Sequence, residues 1–342
     1  MNSRTLSSKL DIIRNGVRYG ELVYTDPPSI SCSGDAEICL SMRATVRASD
    51  EMDVLTDHVR AYVVIDGVDC PVGEFSVGTV KQSYKNSVKW WELELYDQAS
   101  VCKRSLVESR YYIAAGTLYL DAINALLIEC GITRVMSDAN TDTLTTDRED
   151  WDIGTSRLAI INTLLAEINF YPLYFDLGGV ARLEKKTDLS VTTPTYEYKA
   201  DKMSILYPEC STELDIFDTP NVFIVLLSNA EQGAMMATAE NNSPSSALSI
   251  IRRNQRIPRV YKVDNIASQA ALQEYADNLR NDSLLSTENV EFYTAINPVH
   301  SVHDVLVLQH PDIEGVFLET SWSMTLRAGE KMTHKAKRVM YV

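Results

Sequence analysis

The period of the hydrophobic pattern changes twice along this chain, and that limits its fold more than any other feature. Up to about residue 105, apolar and polar residues alternate, the period of two that a half-buried strand requires. From about residue 106 to about residue 190, apolar residues recur every three to four positions, the period of a helix face. Beyond that, strand-like alternation returns, with one amphipathic helix. The expected class is α+β and strand-rich, divided as 1–105 (β), 106–190 (α/β insert) and 191–342 (β). For 342 residues, two or three domains are expected.

In the first segment, Val17–Thr25, Ile38–Val46, Val59–Ile65, Glu74–Ser83 and Val88–Asp97 read as strands. Asp66-Gly67 fits a two-residue hairpin turn, whose central positions both want positive φ. Asp26-Pro27-Pro28 is expected to break regular structure. Several short strands in a span this size predict a small barrel or sandwich. Within Lys89–Asp97, Trp91, Leu93 and Leu95 share a core face, and Trp90, Glu92, Glu94 and Tyr96 share the other. That mixed second face fits plain surface or contact with another subunit.

In the middle segment, Leu118, Ile123, Leu126, Leu127 and Cys130 mark one helix, closed by Gly131. Leu158, Ile161, Leu164, Leu165 and Ile168 mark a second, capped by Thr155 or Ser156. Phe170–Asp176, Gly178-Gly179 and Val180–Glu184 read as strand, turn and strand, and Ser137–Asp152 as a polar surface loop. In the last segment, the unbroken apolar run Val222–Leu227 predicts a strand buried on both faces. Ala239–Ser249 reads as a loop and Ser268–Leu285 as a helix with Ala271, Leu272, Tyr275, Ala276 and Leu279 on its apolar face. Val290–Ile296, Asp304–Gln309, Gly315–Leu326 and Lys335–Val342 read as strands, the last two joined at Ala328-Gly329.

A formal charge of −15 argues against general nucleic-acid binding, which needs a basic surface to displace counterions. It equally disfavours an anionic membrane. It fits simple solubility, or an acidic channel past which DNA slides without sticking. No apolar run reaches the ~20 residues of a membrane span, and no signal peptide opens the chain, so synthesis and retention in the cytosol are expected. The six cysteines form no CxxC pair and fit buried hydrophobes better than a disulfide framework.

Chemistry is sparse. His300 and His303 are three apart, where a zincin helix needs a spacing of four. They enter a strand, in which such positions face opposite ways, and His310 and Asp304 would complete a site only through the fold. Asp147, Glu149, Asp150 and Asp152 crowd around Trp151, unlike the separated acids of a glycosidase. No nucleophile elbow, P-loop or dinucleotide fingerprint occurs. Arg252, Arg253, Arg256 and Arg259 form the one basic cluster, a contact for an acidic neighbour or a solvated loop. No catalytic, cofactor-binding or metal-binding residue is assigned.

Several stretches in the later two thirds have a familiar order. They are Gly154-Thr-Ser-Arg-Leu158 through Asn169-Phe-Tyr-Pro-Leu-Tyr-Phe-Asp176, and Asp215-Ile-Phe-Asp-Thr-Pro-Asn-Val-Phe-Ile-Val225 with Ser228-Asn229. Glu240-Asn-Asn-Ser-Pro244, Val263-Asp-Asn-Ile-Ala267 with Tyr275-Ala276, Glu319-Thr-Ser-Trp-Ser-Met-Thr-Leu326 and His334-Lys-Ala336 follow. In this order the chain resembles tail-tip proteins of siphophages and prophages, the group related to the baseplate hub of contractile tails. The resemblance implies two β-barrel-like hub domains with an α/β insert between them, and a homotrimer without enzymatic activity or cofactor. It implies partners in the distal tail protein or tail-tube subunits and in a spike, fibre or tape measure protein, with DNA only in passage. It places the protein at the virion tail tip, assembled in the host bacterial cytoplasm. Two other readings stay open. A receptor- or glycan-binding tail-tip protein would need an aromatic platform, for which Trp90, Trp151 and Trp322 are candidates. A cell-wall hydrolase would need a paired-acid cleft.

Overall fold

The computed structural model describes residues 5–186, 193–201, 204–214, 219–229, 233–244, 246–263, 269–285 and 288–339. The chain is β-rich, with 50% strand and 15% helix. It divides into two compact units. One comprises Met1–Asp188, Thr294–Val302 and Ser321–Thr333, the other Leu189–Tyr293, His303–Thr320 and His334–Val342.

The first unit is built on an antiparallel sheet in the order Ser321–Thr325 (the end of the strand Glu314–Thr325), Tyr24–Ser33, Leu40–Arg47, Val88–Tyr96, Val68–Lys85, His58–Ile65, Leu6–Arg14, Val17–Leu22. Tight turns with two positive-φ residues join neighbours: Asn15-Gly16 at 51° and 77°, Asp66-Gly67 at 50° and 82°. The second is the expected hairpin turn. The sheet coils until the Ser8 hydroxyl donates to the Leu326 carbonyl at 2.8 Å and the Tyr24 hydroxyl to the Ser8 carbonyl at 2.6 Å. Among the described residues no main-chain ladder closes it into a barrel. Ile12, Ile30, Met42, Phe75, Leu95 and Trp322 belong to the core inside this curve.

Two features differ from expectation here. Leu6–Arg14 is a strand between two others, although Ser7, Ser8, Lys9 and Asp11 make it read as polar. Asp26-Pro27-Pro28 lies inside the strand Tyr24–Ser33, where the register shifts on both sides of Asp26. A proline cannot donate to the ladder, and a bulge removes that requirement without ending the strand. A further register shift, in the pairing of His58–Ile65 with Val68–Lys85, falls at Gly73. Gly73 has φ 144°, and a Cβ there would overlap the Phe75 ring, so the aromatic covers a position only glycine can fill.

Residues from Ala99 to Leu183 form a second core in the same unit. The helix Tyr119–Glu129 ends at Cys130 in a Schellman motif: Gly131 N–H donates to Ile128 O and Ile132 N–H to Leu127 O, both at 2.9 Å. Gly131 adopts φ 78° there. The helix Arg157–Glu167 starts at Ser156, whose hydroxyl accepts from Ala159 N–H at 3.1 Å. Val135–Ser137, Ala181–Leu183 and Tyr174–Phe175 form a small sheet. The span Ser137–Asp152 is not all loop, because Arg148–Trp151 pairs with Tyr111–Ile113 and buries Trp151. Buried Glu74 ties this part to the curved sheet: Arg60 forms an ion pair with it, Gln98 donates to it at 3.1 Å, and Arg134 lies 3.7 Å away.

In the second unit, strands run in the order Leu206–Glu213, Asn289–Ala295, Lys331–Arg338, Glu314–Thr325, Val305–Gln309, and Tyr196–Lys199 pairs parallel to Val305–Gln309. Its core holds Tyr198, Val290, Phe292, Leu306, Leu308 and Phe317. A separate three-stranded sheet, Gly233–Glu240, Val222–Asn229, Pro258–Val263, packs against the helix Gln269–Leu285. Residues 215–218 and 264–267, part of the familiar sequence order, lie outside the described residues, as do the side chain of Ala271 and residues 340–342 of the expected last strand.

Candidate functional site

The three-stranded sheet carries the most unusual surface. Val222–Asn229 is its middle strand, paired antiparallel to Gly233–Glu240 and parallel to Pro258–Val263. Phe223, Val225 and Leu227 are buried; Phe223 and Val225 pack with Ala237, Ala239, Leu272 and Ala276 under the helix. The intervening residues Ile224 and Leu226 face the other way and are only half-buried. Leu226 lies opposite Met236 and Ile224 opposite Val260, and these two partners are 61% and 52% exposed. The run expected to be buried on both faces is therefore covered on one. The difference arises because, among the described residues, a single helix packs against this sheet. Tyr275, expected on the helix's apolar face, is 41% exposed.

The surroundings of this face are well anchored. Gln269 and Gln273 donate from the helix to the carbonyls of Met236 and Thr238 at 2.9 and 3.1 Å, occupying part of one sheet edge. Fully buried Asn221 anchors the segment that leads into the strand Pro258–Val263. Its amide donates to Gln255 O at 2.9 Å and Leu248 O at 3.2 Å, and its Oδ1 accepts from Ile257 N–H at 2.7 Å. Asn241, in the Glu240–Pro244 stretch, donates to the Ser246 hydroxyl at 2.9 Å. The basic cluster is partly used internally. Arg253 donates to Thr219 O at 3.0 Å, and Arg256 pairs with Glu240 at 2.5 Å, holding that carboxyl below its usual range with help from Asn242.

Asp147, Glu149 and Asp152 are exposed, whereas a general acid needs a desolvated carboxyl. The Asp147 carboxylate accepts from Ala115 N–H at 2.8 Å, and Arg110 lies within 3.8 Å of Glu149 and 3.7 Å of Asp152. The side chain of Asp150 lies outside the described residues. Trp151 and Trp322 are 7% and 2% exposed and belong to cores, which removes two of the three members of the expected aromatic platform; Trp90 is half-buried. The outward face of Val88–Tyr96 is mixed: Glu92 lies 2.8 Å from Lys81 and Glu94 3.4 Å from Arg43, with half-buried Trp90 and Tyr96 on the same face.

His300 is buried, and His303 holds a left-handed turn with φ 66°. His58 Nδ1 lies 3.2 Å from the Ser76 hydroxyl. His334 Nδ1 lies 2.7 Å from Glu319 Oε1 with both side chains fully buried, and burial pushes the Glu319 carboxyl up to about 7 against the pull of His334. Sequence spacing hid this pair, because the two residues sit on neighbouring strands fifteen positions apart. It also hid the approach of His310 to Cys210. All six cysteines are free thiols; Cys32, Cys39 and Cys102 are buried, and Cys70, Cys130 and Cys210 are half-buried. No described helix is long and apolar enough to cross a membrane.

No family model matches the chain, and no curated protein matches it. Solved structures do. The fold is similar to that of a tail protein from Neisseria meningitidis MC58, with a TM-score of 0.71 at 14% identity, over 97% of each chain. It is similar to the 43 kDa tail protein of prophage MuSo2 from Shewanella oneidensis, with a TM-score of 0.67 at 12% identity over 97% and 98% of the two chains. It is also similar to prophage tail protein gp18 from Listeria monocytogenes EGD-e, with a TM-score of 0.61 at 7% identity over 96% and 94%. The chain has the fold of phage and prophage tail proteins.

Proposed function

We propose that this protein is a structural subunit of a bacteriophage tail tip, a baseplate-hub-like component that works by assembly and catalyses no reaction. The observation that carries this reading is the end-to-end fold likeness to solved tail proteins, 97% of each chain for the Neisseria meningitidis protein. In this reading residues 1–105 and 191–342 are two β-barrel-like hub domains and residues 106–190 the insert between them. Three copies form a ring in which two similar domains per subunit give six similar positions. Such a ring joins the hexameric tube to a threefold tip, contacts the distal tail protein or tail-tube subunits, and holds the spike, fibre or tape measure protein. Assembly takes place in the cytoplasm of the host bacterium.

Two properties of the chain support it. The face formed by Ile224, Leu226, Met236 and Val260 is apolar and open, as an interface between copies requires. The charge of −15 suits a channel that DNA passes without adhering.

Native mass spectrometry of the full-length protein, alone and mixed with tail-tube or distal-tail subunits, tests the proposal. A trimer, or three copies on a ring of six, is the expected result. A chain that stays monomeric in both preparations overturns it.

A further inference from the structure

Two distant parts of the second unit bring three metal-type donors together. Cys210 lies on the strand Leu206–Glu213. His310 and Asp312 lie on the tight turn after the strand Val305–Gln309, closed by His310 N–H to Ile313 O at 3.0 Å and Ile313 N–H to His310 O at 3.2 Å. The donor atoms of Cys210, His310 and Asp312 all lie within 4.8 Å of one another. Cys210 Sγ is 3.3 Å from His310 Nδ1, and His310 Nδ1 is 3.7 Å from Asp312 Oδ2. Two ligands bound at ~2.0–2.3 Å and separated by a tetrahedral angle lie ~3.3–3.8 Å apart. Two edges of a tetrahedron are therefore already set.

The imidazole is also oriented as a metal ligand is. His310 is 6% exposed, and its Nε2–H donates to the Pro208 carbonyl at 3.0 Å. A backbone carbonyl on the far nitrogen fixes the tautomer and leaves the near nitrogen as the donor atom. That Nδ1 faces Cys210 and Asp312; its lone pair accepts from the Asp312 backbone N–H at 3.2 Å, a bond that a metal ion would replace. Asp312 is exposed and Cys210 half-buried, so the cluster can be reached from solvent.

We propose that Cys210, His310 and Asp312 bind a divalent transition-metal ion of the zinc type, with a fourth position open to water. One sulfur, one nitrogen and one oxygen donor suit zinc, whereas calcium and magnesium take oxygen ligands. Binding exchanges the thiol proton for the metal: the S–H bond breaks, a sulfur–metal bond forms, and the proton leaves to solvent. The ion clamps the strand Leu206–Glu213 to a turn one hundred residues further along the chain. This site rests on the second unit alone, so its failure and the failure of the tail-tip reading are separate results.

The test is titration of the full-length, chelator-treated protein with Co2+, followed by displacement with Zn2+. The expected result is a thiolate-to-cobalt charge-transfer band with intense tetrahedral visible absorption, saturating at one ion per chain and abolished by Zn2+. Cys210→Ser loses the band, His310→Ala and Asp312→Asn weaken binding by more than ~10-fold, and Cys70→Ser/Cys130→Ser leaves it intact. Zn2+ raises the Tm of the wild type and not that of Cys210→Ser. Asp312→Asn, at an exposed side chain, keeps the test valid if Cys210→Ser does not fold. No band in the wild type, a band that survives Cys210→Ser, or undiminished binding in Asp312→Asn overturns the proposal.

Discussion

The strands Val88–Tyr96 and Val222–Asn229 are both interior strands, each paired on two sides, yet they finish their outer faces in opposite ways. In the first, Trp91, Leu93 and Leu95 enter the core, and the outward positions carry Glu92 and Glu94, matched by Lys81 and Arg43 on the neighbouring strands. In the second, Phe223 and Val225 enter the core, and the outward positions carry Ile224 and Leu226 beside exposed Met236 and Val260. The acids of the first face are paired within the chain. The second leaves apolar area exposed at ~25 cal/mol per Å², a cost that a second molecule would remove.

The largest expected effect tests the covered sides. Phe223→Ala removes a ring that is 1% exposed and should cost about 3–5 kcal/mol, read as a lower denaturant midpoint. Leu95→Ala, at 0% exposure on the other strand, should cost about 2–5 kcal/mol. A loss below about 1 kcal/mol at either site would mean that the two inner faces are not equivalent cores.

The next effect belongs to Asp97, the residue that ends the charged strand. Its carboxyl is fully buried and accepts from the Leu40 and Ala99 N–H groups at 2.8 and 2.9 Å. Burial raises it from 3.8 to about 6, against those hydrogen bonds. The folded chain thus keeps a proton that the unfolded chain has released. The stabilisation is full below pH 3.8 and is lost as pH rises through about 6, an amount of about 3 kcal/mol. Urea unfolding across that window should show less of this slope in Asp97→Asn, and an unchanged slope would remove the assignment.

A smaller change in stability, about 1 kcal/mol, is expected for Ile224→Lys/Met236→Lys, because Met236 is 61% exposed and Ile224 only half-buried, on the face away from the helix. The same substitutions should abolish the assembly seen by native mass spectrometry. Unimpaired assembly would break the contrast between the strands. The smallest effect is expected for Lys81→Ala on the ion-paired face: its ion pair with Glu92 is exposed, so neither the unfolding midpoint nor the assembly should move measurably.

Much of this architecture could be read from residue order. The faces of Lys89–Asp97, the Asp66-Gly67 turn, the Ser156 cap and the Gly131 stop are local signals, and each appears in the fold. Two of the missed strands share a cause. Leu6–Arg14 carries charged residues that pair with distant side chains: Asp11 with Arg18 at 3.0 Å, and Arg14 with Asp57 at 2.7 Å. Arg148–Trp151 reads as an acidic loop, but pairing with Tyr111–Ile113 and the Arg148 guanidinium 4.9 Å over the Trp151 ring make it a strand. Of the candidate surface, the apolar character of Val222–Leu227 was legible and its uncovered side was not.

The sequence alone determined the two insert helices, the Asp66-Gly67 turn and the regularly alternating strands, because periodicity, caps and positive-φ turns act within a few residues. It also determined the acidic charge, which is a sum and needs no fold. Tertiary structure decided which apolar residues stay open, because that depends on how many helices reach a given sheet. It decided too that Cys210 meets His310 and that Glu319 meets His334, since sheet register, and not spacing along the chain, brings such side chains within reach.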